Sequence, residues 1–194
     1  MDHIISCHID SIFVSPMADV KNGVHTGCCD NFSGILCTAQ LIKYPEIKIE
    51  YTNGEETNME GARWVANHYS ADDCFIIVVD VTEKAPRWKT TQFTVENING
   101  IDLKHIKRAL KSFQGKYKIK EIGAESEAWL YKKEGFSCVE IDIVATGGLH
   151  NLHNRAQVTD ILVASEAIKS MVEYVKDKEK KDICEAVIVA QERK

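Results

Sequence analysis

The chain has 194 residues, 44% of them hydrophobic, and its 24 basic and 29 acidic residues leave a net charge of −5. That length buries one substantial core and predicts a single domain over residues 1–194, while the acidic balance, with no Lys/Arg stripe among the aromatics, argues against a nucleic-acid partner. "MDHIISCHID" lacks a basic leader region, no apolar run approaches a membrane span, and the seven cysteines show no C-x-x-C spacing, so a reduced, cytoplasmic protein without membrane contact is expected.

In chain order, a strand is expected over residues 3–8. Phe32, Ile35, Leu36, Ala39 and Ile42 then form one face of a helix. A strand over 47–52, a short helix over 59–68 and a strand over 75–81 follow. "TTQFTVEN" (90–97) adds a strand outside this rhythm, and Leu103, Ile106, Leu110 and Phe113 mark the next helix. After a strand over 116–122, a helix over 125–133 ends near Gly135, and a strand over 138–144 comes next. The longest helical stripe, Ile161, Ala164, Ile168, Met171 and Val175, has Thr159 as its expected N-cap and the charge run "KDKEKKD" (176–182) as its expected end. The tail "ICEAVIVAQ" is left open between strand and helix. The alternation predicts an α/β fold: a three-layer sandwich whose mostly parallel, mixed central sheet is covered by helices on both faces.

In such a sheet ligands bind beyond the carboxyl ends of the strands. The polar residues there are His8 and Asp10 in "HID", Asp30 in "GCCDNFSG", Glu55 and Glu56 in "NGEETNMEGA", Asp80 in "VVDV", and His150 and His153 in "GGLHNLHNRAQ". Each has a plain alternative. Asp30 can cap the Phe32 helix, and His8 can be a core histidine. Together, an all-His/Asp/Glu set at one sheet edge points to a shared metal site, with oxygen and imidazole ligands suited to zinc, cobalt or manganese. The inventory is that of a two-metal hydrolytic centre with a bridging carboxylate. Asp10, two residues from His8 on the same strand face, is placed to orient the imidazole. Of two adjacent glutamates, one can bind metal while its neighbour accepts a proton from water.

The series "HID", "GCCDNFSG", "NGEETNMEGA", "VVDV" and "HNRAQ" resembles the signature of the co-catalytic zinc exopeptidases, particularly the bacterial leucyl and glutamyl aminopeptidase groups, over roughly residues 3–175. The resemblance implies two zinc ions. His8 and Asp80 would hold one, Glu56 and a histidine of the last loop the other, with Asp30 bridging and Glu55 as general base. It also implies a minimal catalytic domain without inserted lid or dimerisation domain, and Glu127 as a residue near the substrate amine. The ligand histidine of the family stands shortly before the final helix, which favours His153 over His150, the latter left to contact substrate. Gln157 stands where the family has an acidic residue.

The implied function is a metal-dependent hydrolase of amide bonds, foremost an aminopeptidase acting on short peptides; a deacylase of N-acylated small molecules or a carboxypeptidase would use the same centre. The competing class is a binding or scaffolding module that keeps the fold without catalysis. Family strands that flank the H-x-D strand are not found before His8, which leaves a sheet edge open and predicts a homo-oligomer.

Overall fold

The β-branched runs pair into one sheet because each alternates between two buried faces. In the computed structural model, which describes residues 1–121 and 123–192 with side chains as far as residue 178, the strands are β1 (Asp2–His8), β2 (Ala18–Lys21), β3 (Val24–Gly27), β4 (Ile47–Thr52), β5 (Cys74–Glu83), β6 (Phe93–Asn99), β7 (Tyr117–Ile119), β8 (Ser137–Thr146) and β9 (Arg155–Gln157). The helices are α1 (Cys29–Ala39), α2 (Glu60–His68), α3 (Leu103–Ala109), α4 (Glu127–Lys133) and α5 (Val158–Glu192). The strand order is β2-β3-β9-β8-β5-β1-β4, with β6 also on β8 and β7 beyond β6. β4, β1, β5 and β8 are parallel, whereas β6 and β9 run antiparallel to β8.

Two cores flank the sheet. On one face Ile5, Ile77, Val79, Val139, Ile141 and Ile143 pack against α1, α3 and α5. On the other, Ile4, Ile76, Val78 and Cys138 pack against Ala62 and Val65 of α2 and Ala128, Leu130 and Tyr131 of α4. The result is the three-layer α/β sandwich, its two helical layers separated by strands buried on both sides.

Several expected boundaries move. The strand over 116–122 shortens to Tyr117–Ile119, and Ile122 lies outside the described residues. The stripe over 103–113 splits into α3 and a separate 3-10 turn, Lys111–Phe113. The last helix starts at Val158, so Thr159 lies inside it, and it runs through "KDKEKKD" and the tail to Glu192. Lys and Glu are good helix formers, so a solvated charge run does not have to end a helix. The β2–β3 hairpin was not expected, although its turn, Asn22-Gly23, has positive φ at both residues (52° and 76°), the pattern that two-residue hairpins favour.

Candidate metal centre

β1, β4 and β5 end at the same edge, and the expected site residues gather there. His8 closes β1 with its side chain 1% exposed; its Nε2 lies 3.2 Å from Asp80 Oδ1 and 3.2 Å from Asp30 Oδ1. Across Asp30, His150 Nε2 lies 3.2 Å from Asp30 Oδ2 and 3.3 Å from Glu56 Oε2. Among the described residues these are the two groups, His8–Asp30–Asp80 and Asp30–Glu56–His150, whose ligand atoms all lie within 4.8 Å of one another. Asp30 belongs to both, giving one oxygen to each.

The start of α1 explains how Asp30 is released for this. Asp30 and Asn31 have non-helical backbone angles, and the peptide between them is cis. Asn31, rather than Asp30, does the capping: its Oδ1 accepts from Gly34 N–H at 3.0 Å while its Nδ2 donates to the Val79 carbonyl at 2.8 Å. A Cβ on Gly34 would lie 2.2 Å from Asn31 Oδ1, so the glycine of "DNFSG" is the space that the Asn31 side chain needs. Ser33, the remaining polar residue of the motif, lies 2.8 Å from buried His25 Nδ1.

The Glu55–Glu56 pair sits in the turn between β4 and α2. Asp10 pins it: Oδ1 accepts from Glu55 N–H at 3.3 Å and Oδ2 from Glu56 N–H at 3.2 Å. Asp10 Oδ1 is also 3.5 Å from His8 Nδ1, a charge contact longer than a good hydrogen bond. Asp10 therefore links the histidine of β1 to the glutamate turn. The turn packs closely on α2, since a Cβ on Gly61 would lie 2.4 Å from Asn53 N.

The electrostatics are those of crowded anions. Burial opposes the charged form of His8, yet Asp80, Asp10 and Asp30 outweigh it and hold the imidazole pKa well above its usual value. Burial, then the neighbouring charge of Asp80, Glu56 and Asp30, pushes Glu55 up to about 8. Burial and Asp30 raise Glu56, and burial likewise raises Asp80. His8 Nδ1, Asp30 Oδ1 and Glu56 Oε1 are buried without hydrogen-bond partners. His8 Nε2 and His150 Nε2 each face two carboxylate oxygens, and a single N–H cannot satisfy both. The donor set therefore fits two divalent cations.

Two expected residues fall elsewhere. β9 pairs with the end of β8, Ala145 opposite Ala156 and Thr146 opposite Arg155, so residues 147–154 form a hairpin loop. His150 stands at its tip, with φ 56°, and reaches the cluster; His153 stands near the stem, exposed, its N–H bonded to Asn151 Oδ1 at 2.9 Å. The histidine beside Asp30 and Glu56 is thus His150 and not His153. Glu127 is 1% exposed in the first turn of α4, its Oε2 accepting from Ser6 Oγ at 2.8 Å. It lies behind the site, and Glu125 and Ser126 line the cavity instead.

That cavity, about 590 Å³, opens over Asp30, Glu55, Glu56, Asp80 and His150 and continues to Lys120, Glu140 and Asp142. None of these three was expected from the sequence. Burial and Asp80 raise Glu140 to about 8, and burial and Glu140 raise Asp142 well above the carboxylate range. Their signal is visible in "VEIDIV", where acids occupy alternate positions of an apolar strand.

No protein-family model matches the chain, and no curated protein matches it by sequence. Solved structures do match. Aminopeptidase APDkam598 from the archaeon Desulfurococcus kamchatkensis superposes with a TM-score of 0.64 at 16% identity, over 84% of this chain and 54% of that one. The TET1 peptidase of Pyrococcus horikoshii, which can assemble into a tetrahedron or a large octahedral shell, gives 0.62 at 14% identity over 80% and 52%. An M18-family aminopeptidase from Thermotoga maritima gives 0.57 at 11% identity over 81% and 48%. The chain spans about half the length of these structures. At such identities the likeness shows the fold alone, a mixed α/β sheet covered by helices that this chain shares with those structures.

Proposed function

We propose that the chain is the catalytic unit of a co-catalytic metal-dependent aminopeptidase acting on short peptides. The observation that carries this reading is Asp30, whose two oxygens face separate His/carboxylate sets. In it His8, Asp80 and Asp30 would hold one cation and Asp30, Glu56 and His150 the other, zinc being the first choice and cobalt or manganese also suited to the donors. The chemistry that such a pair supplies when bound is Lewis acidity toward the amide carbonyl and acidification of water.

The residues of the chain do the rest. Glu55, which belongs to neither ligand set, takes the proton of the attacking water as its oxygen bonds to the carbonyl carbon. It returns that proton to the departing amine nitrogen as the C–N bond breaks. Asp10 holds the Glu55 backbone and faces His8, fixing both in place. Free thiols at all six described cysteines fit the reducing cytoplasm as the compartment. Among the described residues no helix is long and apolar enough to cross a membrane.

The test is elemental analysis of purified protein after dialysis, together with a panel of aminoacyl chromogenic amides. Two metals per chain and hydrolysis lost on chelation are expected. A metal-free, inactive protein that keeps its fold would leave a binding module in place of the enzyme.

A further inference from the structure

On the face of the sheet toward α2 and α4, every central strand changes from apolar to polar along its length. β1 runs Ile4, Ser6, His8; β5 runs Val78, Asp80; β8 runs Cys138, Glu140, Asp142. β6 meets them from the opposite direction, with Thr94 opposite Asp142 and Glu96 opposite Glu140. Asp80 and Asp142 are register partners, about 4.8 Å apart from strand to strand. The cavity floor therefore steps directly from the candidate metal ligands onto a second acidic set.

That set is short of positive charge. Glu96, Glu140 and Asp142 are all buried, at 1%, 2% and 4% exposed, and Lys120 is the cation among them. Lys120 is committed to Glu96 and to Thr82 Oγ1 at 2.9 Å, with Asp142 Oδ2 further off at 3.7 Å. Thr94 Oγ1 lies 3.0 Å from Asp142 Oδ2 and 3.1 Å from Glu96 Oε1, and the Asp142 and Glu96 carboxyls also hydrogen-bond each other. Glu140 has the Asn97 amide. Asp142 Oδ1 is buried without a hydrogen-bond partner on a side chain that lines the cavity. A buried carboxylate oxygen left unpaired is costly unless something else arrives to meet it. These acids do not form a third metal group, since among the described residues three ligand atoms come within 4.8 Å of one another only in the two sets above.

We propose that Asp142, supported by Glu140, is the specificity determinant of this cavity and receives the cationic side chain of a substrate whose first residue is lysine or arginine. The inference rests on the aminopeptidase reading and adds the substrate class. A lysine stem spans roughly 6 Å from Cα to ammonium, enough to cross one strand from a carbonyl held beside Asp80 to Asp142. Trp129 lines the same cavity and offers an apolar wall for the stem. An acidic side chain would compete with Glu96 for Lys120, and an aliphatic one would leave Asp142 Oδ1 sealed in without a partner.

The experiment compares lysyl, arginyl, leucyl and glutamyl chromogenic amides with the metal-supplemented full chain. The basic substrates should lead in kcat/KM by about ten- to a hundredfold. That lysyl-to-leucyl ratio should collapse by about tenfold or more in Asp142→Asn and, to a lesser degree, in Glu140→Gln. A wild-type preference for leucyl or glutamyl substrate overturns the inference while leaving the aminopeptidase reading intact. An equal loss on all substrates in Asp142→Asn also overturns it, because it would place Asp142 at the α-amine or in the scaffold. If nothing is hydrolysed, the aminopeptidase reading fails, and calorimetric binding of L-lysinamide against L-leucinamide decides the inference alone. Tighter lysinamide binding that is lost in Glu140→Gln or Asp142→Asn supports it, and equal binding overturns it. Melting curves of both variants identify any that fail to fold.

Discussion

Glu55 and Glu56 are neighbours in one turn with different surroundings, and the difference decides which does what. Glu56 Oε2 faces His150 at 3.3 Å, whereas Glu55 lines the cavity outside either ligand group. Glu55→Gln is therefore expected to keep two metals per chain and to lower kcat by about two to four orders of magnitude; near-normal turnover with unchanged metal content would take the proton-transfer role away from Glu55. The two loop histidines give a second comparison at this scale. His150→Ala should lose one metal and nearly all activity, while His153→Ala keeps both metals, and the reverse pattern in a metal-content measurement would return the ligand to His153. The positions of His8, Asp10, Glu55, Glu56 and Asp80 were legible because expected strand ends locate them, and that of Asp30 because it stands in the loop motif "GCCDNFSG" just ahead of an expected helix. His150 was not, since the choice depends on β9 pairing with β8, and a three-residue strand leaves little pattern in a sequence. Glu140 and Asp142 were legible in principle: alternate acids on a buried strand cost too much to be incidental.

Among the elements, α1 shows most directly how a motif becomes geometry. Asn31 closes the helix start through Gly34 N–H and ties it to β5 through the Val79 carbonyl, so one buried amide fixes Asp30 against the strand that carries Asp80. Asn31→Ala should destabilise the fold by about 1–3 kcal/mol in urea titration and reduce metal retention at the same time. A variant with wild-type stability and full metal content would show that Asp30 is positioned by something else. Gly34→Ala should act in the same direction, because its Cβ would collide with Asn31 Oδ1. The core strands and amphipathic helices could be read from periodicity alone, since burial on both faces of β1, β5 and β8 writes nearly continuous apolar runs. What escaped was short or non-periodic. The β2–β3 hairpin has four exposed residues in β2 and so no hydrophobic pattern, leaving only its Asn-Gly turn as a signal. The continuation of α5 past "KDKEKKD" was hidden because charge marks solvent exposure and says nothing of helix ends.

At the scale of the whole molecule, the sheet and the loop beside the candidate centre both present surface suited to another chain. Among the described residues β4 has β1 as its one sheet neighbour, so one side of its backbone has no strand partner there, and Tyr51 on it is exposed. Between β1 and β2, Ile9, Ile12, Val14 and Met17 are exposed, Val14 completely and Met17 at 72%, and Met17 shares a small, largely apolar hollow with Leu152 beyond β8. Exposed apolar side chains gathered on one loop are what an interface core requires, whereas scattered ones need no partner. Self-association through this loop is therefore expected. Multi-angle light scattering at micromolar concentration should give a dimer or larger species, and the double substitution Val14→Glu, Met17→Lys should shift it toward monomer without lowering the melting temperature, because neither side chain contributes to the cores. Oligomers that persist in the double variant would assign the contact to the β4 edge, where Tyr51→Lys becomes the disrupting change; a strict monomer for the wild-type chain would exclude both surfaces.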